Sequence, residues 1–75
     1  MNDKRRSKIS EVKLVVSQAL TTLENIKDDE EDALWNIPEN LQTSDRYYEM
    51  EEHVNNLIEA IEKIEQGVDC LGNII

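Results

Sequence analysis

Carboxylates at three-residue steps are the first residues in this chain whose spacing suggests chemistry. Glu49 and Glu52, then Glu59, Glu62 and Glu65, recur in this way through the second half of the 75-residue sequence. On a helix such acids lie along one side and could hold a divalent cation, as in all-helical nucleotide pyrophosphohydrolases. Those sites draw further acids and basic phosphate-binding groups from other helices, which one subunit of this length does not supply. Carboxylate-bundle iron sites use Glu-x-x-His, but the residue three before His53 is Met50. Glu49 and His53, four apart, make at most a two-ligand site. The expectation is no metal and no cofactor, with the acids forming solvated helix faces.

The other reactive side chains are equally isolated. Cys70 has no base near it in sequence and reads as a passive thiol. His53 precedes the apolar Val54 and reads as a packing residue at the edge of a helix seam. The serines form no nucleophile elbow, and Gly67 and Gly72 form no phosphate loop. No enzyme is expected, so the elements must be read for what they bind.

Those elements announce themselves by heptad spacing. Tyr47, Met50, Val54, Leu57, Ile61, Ile64, Val68, Leu71 and Ile75 alternate three and four residues apart. Ile9, Val12, Val16, Ala19, Leu23 and Ile26 do the same, and the register continues through Glu30, Ala33 and Ile37. Ser7 or Asp3 is placed to cap the first helix, and Pro38 disfavours helix at Ile37. Thr43, Ser44 or Asp45 is placed to cap the second, and Gly72-Asn73 to stop it. The expected fold is all-α: one domain over 1–75, an antiparallel hairpin with helices at about 7–36 and 45–71 joined by 37–44.

A domain this small has a marginal core, and its single cysteine cannot form an internal disulfide. Val15, Leu20 and Ile58 widen the apolar stripes beyond a two-stranded seam. Self-association into a four-helix bundle or coiled coil is therefore expected, through Val16, Leu20, Leu23, Val54, Leu57, Ile58, Ile61 and Ile64. Docking on a larger protein's groove, or an extended domain-swapped pair, would use the same residues.

Charge narrows the partners. The net charge is −9, yet residues 1–13 carry five cations against two acids, whereas Glu24–Glu65 carries fourteen acids against three cations. Antiparallel packing would set Lys4, Arg5, Arg6 and Lys8 beside Glu62, Glu65 and Asp69. It would also gather Asp28, Asp29, Glu30, Glu31 and Asp32 with Glu49 and Glu52 into an acidic tip, the expected partner-binding surface. Trp35 belongs to that tip either as corner packing with Leu34, Ile37, Leu41, Tyr47 and Tyr48 or as an exposed anchor. Such charge disfavours direct nucleic-acid binding and anionic membranes, and favours a basic host protein. No apolar run approaches the roughly 20 residues of a membrane span. No signal peptide follows the basic start, and a lone cysteine suits a reducing cytoplasm.

The stretch Leu34-Trp-Asn-Ile-Pro-Glu-Asn-Leu-Gln-Thr-Ser-Asp-Arg-Tyr resembles small acidic proteins encoded by phages and mobile elements of Gram-positive bacteria. Lys4-Arg5-Arg6, Asp28–Asp32, Pro38–Ser44 and Val54–Asp69 match that family's basic start, acidic run, connection and second helix. The resemblance implies a cytoplasmic protein of a bacterial host. It brings no settled activity and no catalytic residues. Two roles follow from residues and resemblance together: a non-enzymatic, self-associating protein-binding module, or a DNA-mimic inhibitor of a host nucleic-acid-handling or defence protein such as a nuclease.

Overall fold

Asn2 starts the first helix. In the computed structural model, which describes residues 1–75, its side-chain oxygen accepts the Arg5 backbone N–H at 2.9 Å. That bond satisfies one of the donors a helix N-terminus leaves free. Helix α1 then runs Asp3–Trp35, 33 residues. It begins four residues before the expected position 7, and neither Ser7 nor Asp3 is the cap. The lysines and arginines after Asn2 are good helix formers, and Asp3 places a favourable anion in the first turn.

The proline ends α1 where expected. Asn36 occupies the C-cap with its N–H bonded to the Asp32 carbonyl, and the chain turns through a short 3-10 segment, Glu39–Leu41. Ser44 then ties the turn to helix α2, Asp45–Gly72. Its hydroxyl donates to the Leu41 carbonyl at 2.7 Å and accepts the Tyr47 N–H at 3.2 Å. At the far end Gly72 lacks a positive φ, so α2 stops at the expected place without a left-handed glycine.

The two helices pack antiparallel into a rod of 59 × 14 × 13 Å. Its radius of gyration, 17.3 Å, exceeds the roughly 11 Å of a globular chain this long. Only Leu34, Val54 and Ile61 are buried. On α2 the apolar heptad and the packed seam coincide. Val54 and Ile61 are its centre, and Tyr47, Met50, Leu57, Ile64, Val68 and Leu71 are half-buried around them.

On α1 the seam differs from the expected register. Ile9, Val16, Leu23, Glu30 and Ile37 face inward as expected, but the alternate positions are Lys13, Leu20, Lys27 and Leu34. Val12, Ala19, Ile26 and Ala33 turn outward instead. The two stripes lie one residue, about 100°, apart. Burying Leu20 and Leu34 removes far more apolar surface from water than burying Ala19 and Ala33 would. The cost is two lysines at the seam. Lysine tolerates that position because its stem lies on apolar surface while its amine reaches water.

The basic start is also placed differently. Gly72, the last residue of α2, lies by the tip of the Lys13 side chain, Ile9 is the first half-buried residue of α1, and residues 1–8 are all exposed beyond it. Lys4, Arg5, Arg6 and Lys8 are exposed and do not pair with Glu62, Glu65 or Asp69. Arg6 instead reaches Asp3, 3.8 Å away on its own helix. The connection fixes which residues lie opposite, and α1 is five residues longer than the 28-residue α2.

Candidate interaction faces

A two-helix rod has two broad sides, and here they differ in chemistry. One side carries a groove between the helices lined by Glu24, Lys27, Asp28, Ile58, Glu62 and Glu65. The opposite side carries a groove lined by Ile26, Glu30, His53, Asn56 and Leu57. Nearer the turn, Ala33, Ile37, Pro38, Leu41, Tyr47 and Met50 line an apolar corner with Arg46 at its edge.

Heptad stepping extends each side toward the termini. One and two heptads from Ile26 lie Ala19 and Val12; one and two heptads from His53 lie Ala60 and Gly67. Toward the termini, this side therefore presents small and apolar residues and no carboxylate at those positions. Val12 is 52% exposed and Ile26 45%, with Val15 beside them at 63%. A Cβ built on Gly67 meets nothing within 4 Å, so the surface there is open. The other side gathers the acids, and it carries exposed apolar residues too: Ile58 in the groove, Leu14 and Trp35 on one heptad line with Asp28, and Tyr48 two heptads before Glu62.

The acidic tip does not form one patch. Five consecutive residues at 100° each encircle a helix, so Asp28–Asp32 point in all directions. Glu30 faces the groove with His53, and Glu31 lies on the other side, 3.5 Å from Lys27. Lys27 also holds Asp28 at 2.9 Å. That hydrogen bond is the main reason its amine sits above the ordinary lysine value. Asp29, Asp32, Glu49 and Glu52 are exposed.

Trp35 is 72% exposed and takes no part in corner packing. Leu34 fills the inward position, and the next residue on a helix points about 100° away. Leu41, though it lines the corner, and Tyr48 are exposed too, whereas Leu34, Ile37 and Tyr47 are covered there.

The residues expected to drive self-association meet inside the hairpin. Val16, Leu20, Leu23, Val54, Leu57, Ile61 and Ile64 all belong to the intrachain seam, and Ile58 flanks it on the acidic side. Sequence reasoning missed the outward run of Val12, Ala19 and Ile26. The signal was present, since Leu20 and Leu34 each follow an alanine placed on the seam and are the bulkier claimants for it.

The carboxylates at three-residue steps do not converge. Glu59 bonds Lys63 at 2.8 Å, and that hydrogen bond lowers the carboxyl's pKa and raises the amine's. No three His, Cys, Asp or Glu side chains are grouped to hold a metal ion. No helix is long and apolar enough to cross a membrane.

Fold and faces together define an antiparallel two-helix rod with most carboxylates on one side and, on the other, a stripe from Val12 to Ile26 that carries none. No protein-family model, curated protein or solved structure matches the chain.

Proposed function

We propose that this chain is a non-enzymatic protein-binding module that associates with itself, encoded by a phage or mobile element and active in the cytoplasm of a bacterial host. The observation that carries this is the exposed stripe of Val12, Val15, Ala19 and Ile26, which lies away from the groove lined by Glu24, Asp28, Glu62 and Glu65. Apolar residues aligned on one exposed helix stripe are available for association with another apolar surface. The origin rests on the resemblance in the connection and the basic start. Mass measurement of the purified chain in dilute buffer tests self-association, and a mass equal to the 8.7 kDa of one chain at all concentrations refutes it.

Exposed Trp35 beside Asp32 favours a second role, as an acidic inhibitor of a basic nucleic-acid-handling host protein. Aromatic anchors are enriched at the centres of interfaces, and carboxylates can occupy sites built for phosphates. A tagged pull-down from nuclease-treated lysate of a Gram-positive host, repeated at high salt, tests it. Recovery of one basic nucleic-acid enzyme, lost from Trp35→Ala, supports inhibition. Recovery of the bait alone argues against it.

A further inference from the structure

The elongated rod exposes more surface than a compact chain of its mass would. The chain exposes 5730 Å², whereas a globular protein of 8.7 kDa exposes about 4700 Å². The excess, about 1000 Å², matches the ~800 Å² that each partner removes from water in a standard stable interface. A second rod laid along this one would remove that excess and give Val12, Ala19 and Ile26 the apolar surroundings they lack within one chain.

Charge selects both the side and the direction. Two chains of net charge −9 cannot bring their acidic sides together without opposing Glu24, Glu62 and Glu65 to their own copies. Over Val12–Ile26 and His53–Gly67 the apolar side carries no such obstacle. Ala19, Ala60 and Gly67 also let helix axes approach to the 8–10 Å of close packing. A parallel pair would bring both acidic tips together and both basic starts together. A head-to-tail pair instead sets each overhanging Lys4–Lys8 segment beside the other chain's acidic tip. Within one chain that basic segment has no cross-helix partner.

We propose that a second copy of this chain covers the Val12–Ala19–Ile26 side, head to tail about a two-fold axis perpendicular to the rod, forming an antiparallel four-helix bundle. This deepens the self-association proposed above and rests on it. The seam residues Val54 and Ile61 hold each hairpin, while the outward stripe joins the two hairpins. The interface is isologous, so one substitution acts twice.

The test joins a mass measurement to a distance measurement on the full chain. The unaltered chain is expected at twice 8.7 kDa in micromolar solution. Ala60→Glu places a carboxylate on the apolar side without removing a buried group, and is expected to return the mass to 8.7 kDa with helicity retained. The charge-matched control Asn55→Glu, on the far side of α2, is expected to leave the mass doubled. A spin label at Asn40→Cys in a Cys70→Ser background marks the tip and leaves the face intact. It reads the arrangement even where Ala60→Glu fails to fold. Head-to-tail packing predicts a label separation close to the 59 Å length of the rod. A parallel pair predicts about 20 Å, two helix spacings, and would overturn the proposal. A doubled mass that survives Ala60→Glu overturns this face and leaves self-association standing. A single-chain mass for the unaltered protein overturns both.

Discussion

The two helices solve the same problem unequally. On α2 every large residue of the apolar heptad up to Leu71 is at least half-covered, and outside that heptad only Tyr48 and Ile58 are large apolar side chains left exposed. On α1 two apolar stripes one residue apart share Ile9, Val16 and Leu23, and the hairpin uses the stripe that contains Lys13 and Lys27. The difference shows that a heptad identifies a helix more firmly than it identifies the helix's inner face. A helix with one stripe has one partner. A helix with two adjacent stripes has one partner inside the chain and surface left for another.

The largest test of that contrast is a pair of matched truncations. Ile61→Ala removes a buried branched side chain at the centre of the seam and is expected to cost about 3 kcal/mol in urea unfolding. Ile26→Ala removes the same atoms from a position 45% exposed and is expected to cost under about 1 kcal/mol in the isolated hairpin. Equal losses, independent of protein concentration, would place Ile26 in the intrachain seam and reverse the assignment of the stripes. A loss at Ile26 that grows with protein concentration would instead assign it to contacts between chains.

The same contrast explains what was legible in the sequence. Helical class, hairpin topology, the stop before Pro38 and the whole α2 seam followed from spacing, because each rests on a strong local rule. The face of α1 did not, because Ile9, Val16 and Leu23 belong to both stripes and only the volumes of Leu20 and Leu34 break the tie. The expected ion pairs at the open end failed for a different reason. Opposite charges at matching ends of a drawn hairpin meet only if the helices end together, and α1 overshoots α2. The acidic run was legible as charge but not as a site, since consecutive residues on a helix cannot share one face.

Gly67 sharpens the comparison from the α2 side. It lies outward on the apolar side, two heptads beyond His53, with open space where a side chain would begin. Gly67→Ala is expected to raise hairpin stability by about 1 kcal/mol, through helix propensity and a less flexible unfolded chain. Chemical unfolding in dilute solution measures that gain. The added methyl has a second consequence if chains pack closely there, since association should weaken while the hairpin strengthens. No gain in stability would mean that the surface at Gly67 is already covered or that α2 is bent there.

Lys27→Leu probes α1 at the position where its seam is least apolar. A leucine there completes the run from Leu20 to Leu34, and the melting temperature is expected to rise by a few degrees. The loss of the contacts to Asp28 and Glu31 offsets little, because such pairs near solvent contribute weakly. A fall in melting temperature would mean that the lysine's neutralisation of the neighbouring acids outweighs the seam. Raising salt distinguishes the two, since screening removes the second effect and leaves the first.

The smallest effect expected is at the outer surface of α2, where Glu59 and Lys63 are bonded at 2.8 Å with no contribution from α1. Their hydrogen bond lowers the glutamate's pKa and raises the lysine's. The signs bracket a window. A lowered carboxyl stabilises the fold above the ordinary glutamate range and loses that contribution as pH falls through its lowered value. A raised amine stabilises it below the ordinary lysine range and loses that contribution as pH rises through its raised value. The pair should therefore contribute across neutral pH and fade at both extremes. Because both groups are exposed, single substitutions are confounded by the change in net charge. A double-mutant cycle on Glu59→Gln and Lys63→Gln isolates the pair, with melting curves taken at neutral pH and in strong acid. A small favourable coupling at neutral pH that vanishes in acid is expected. Coupling that persists in acid would show that it comes from side-chain packing along α2 rather than from charge.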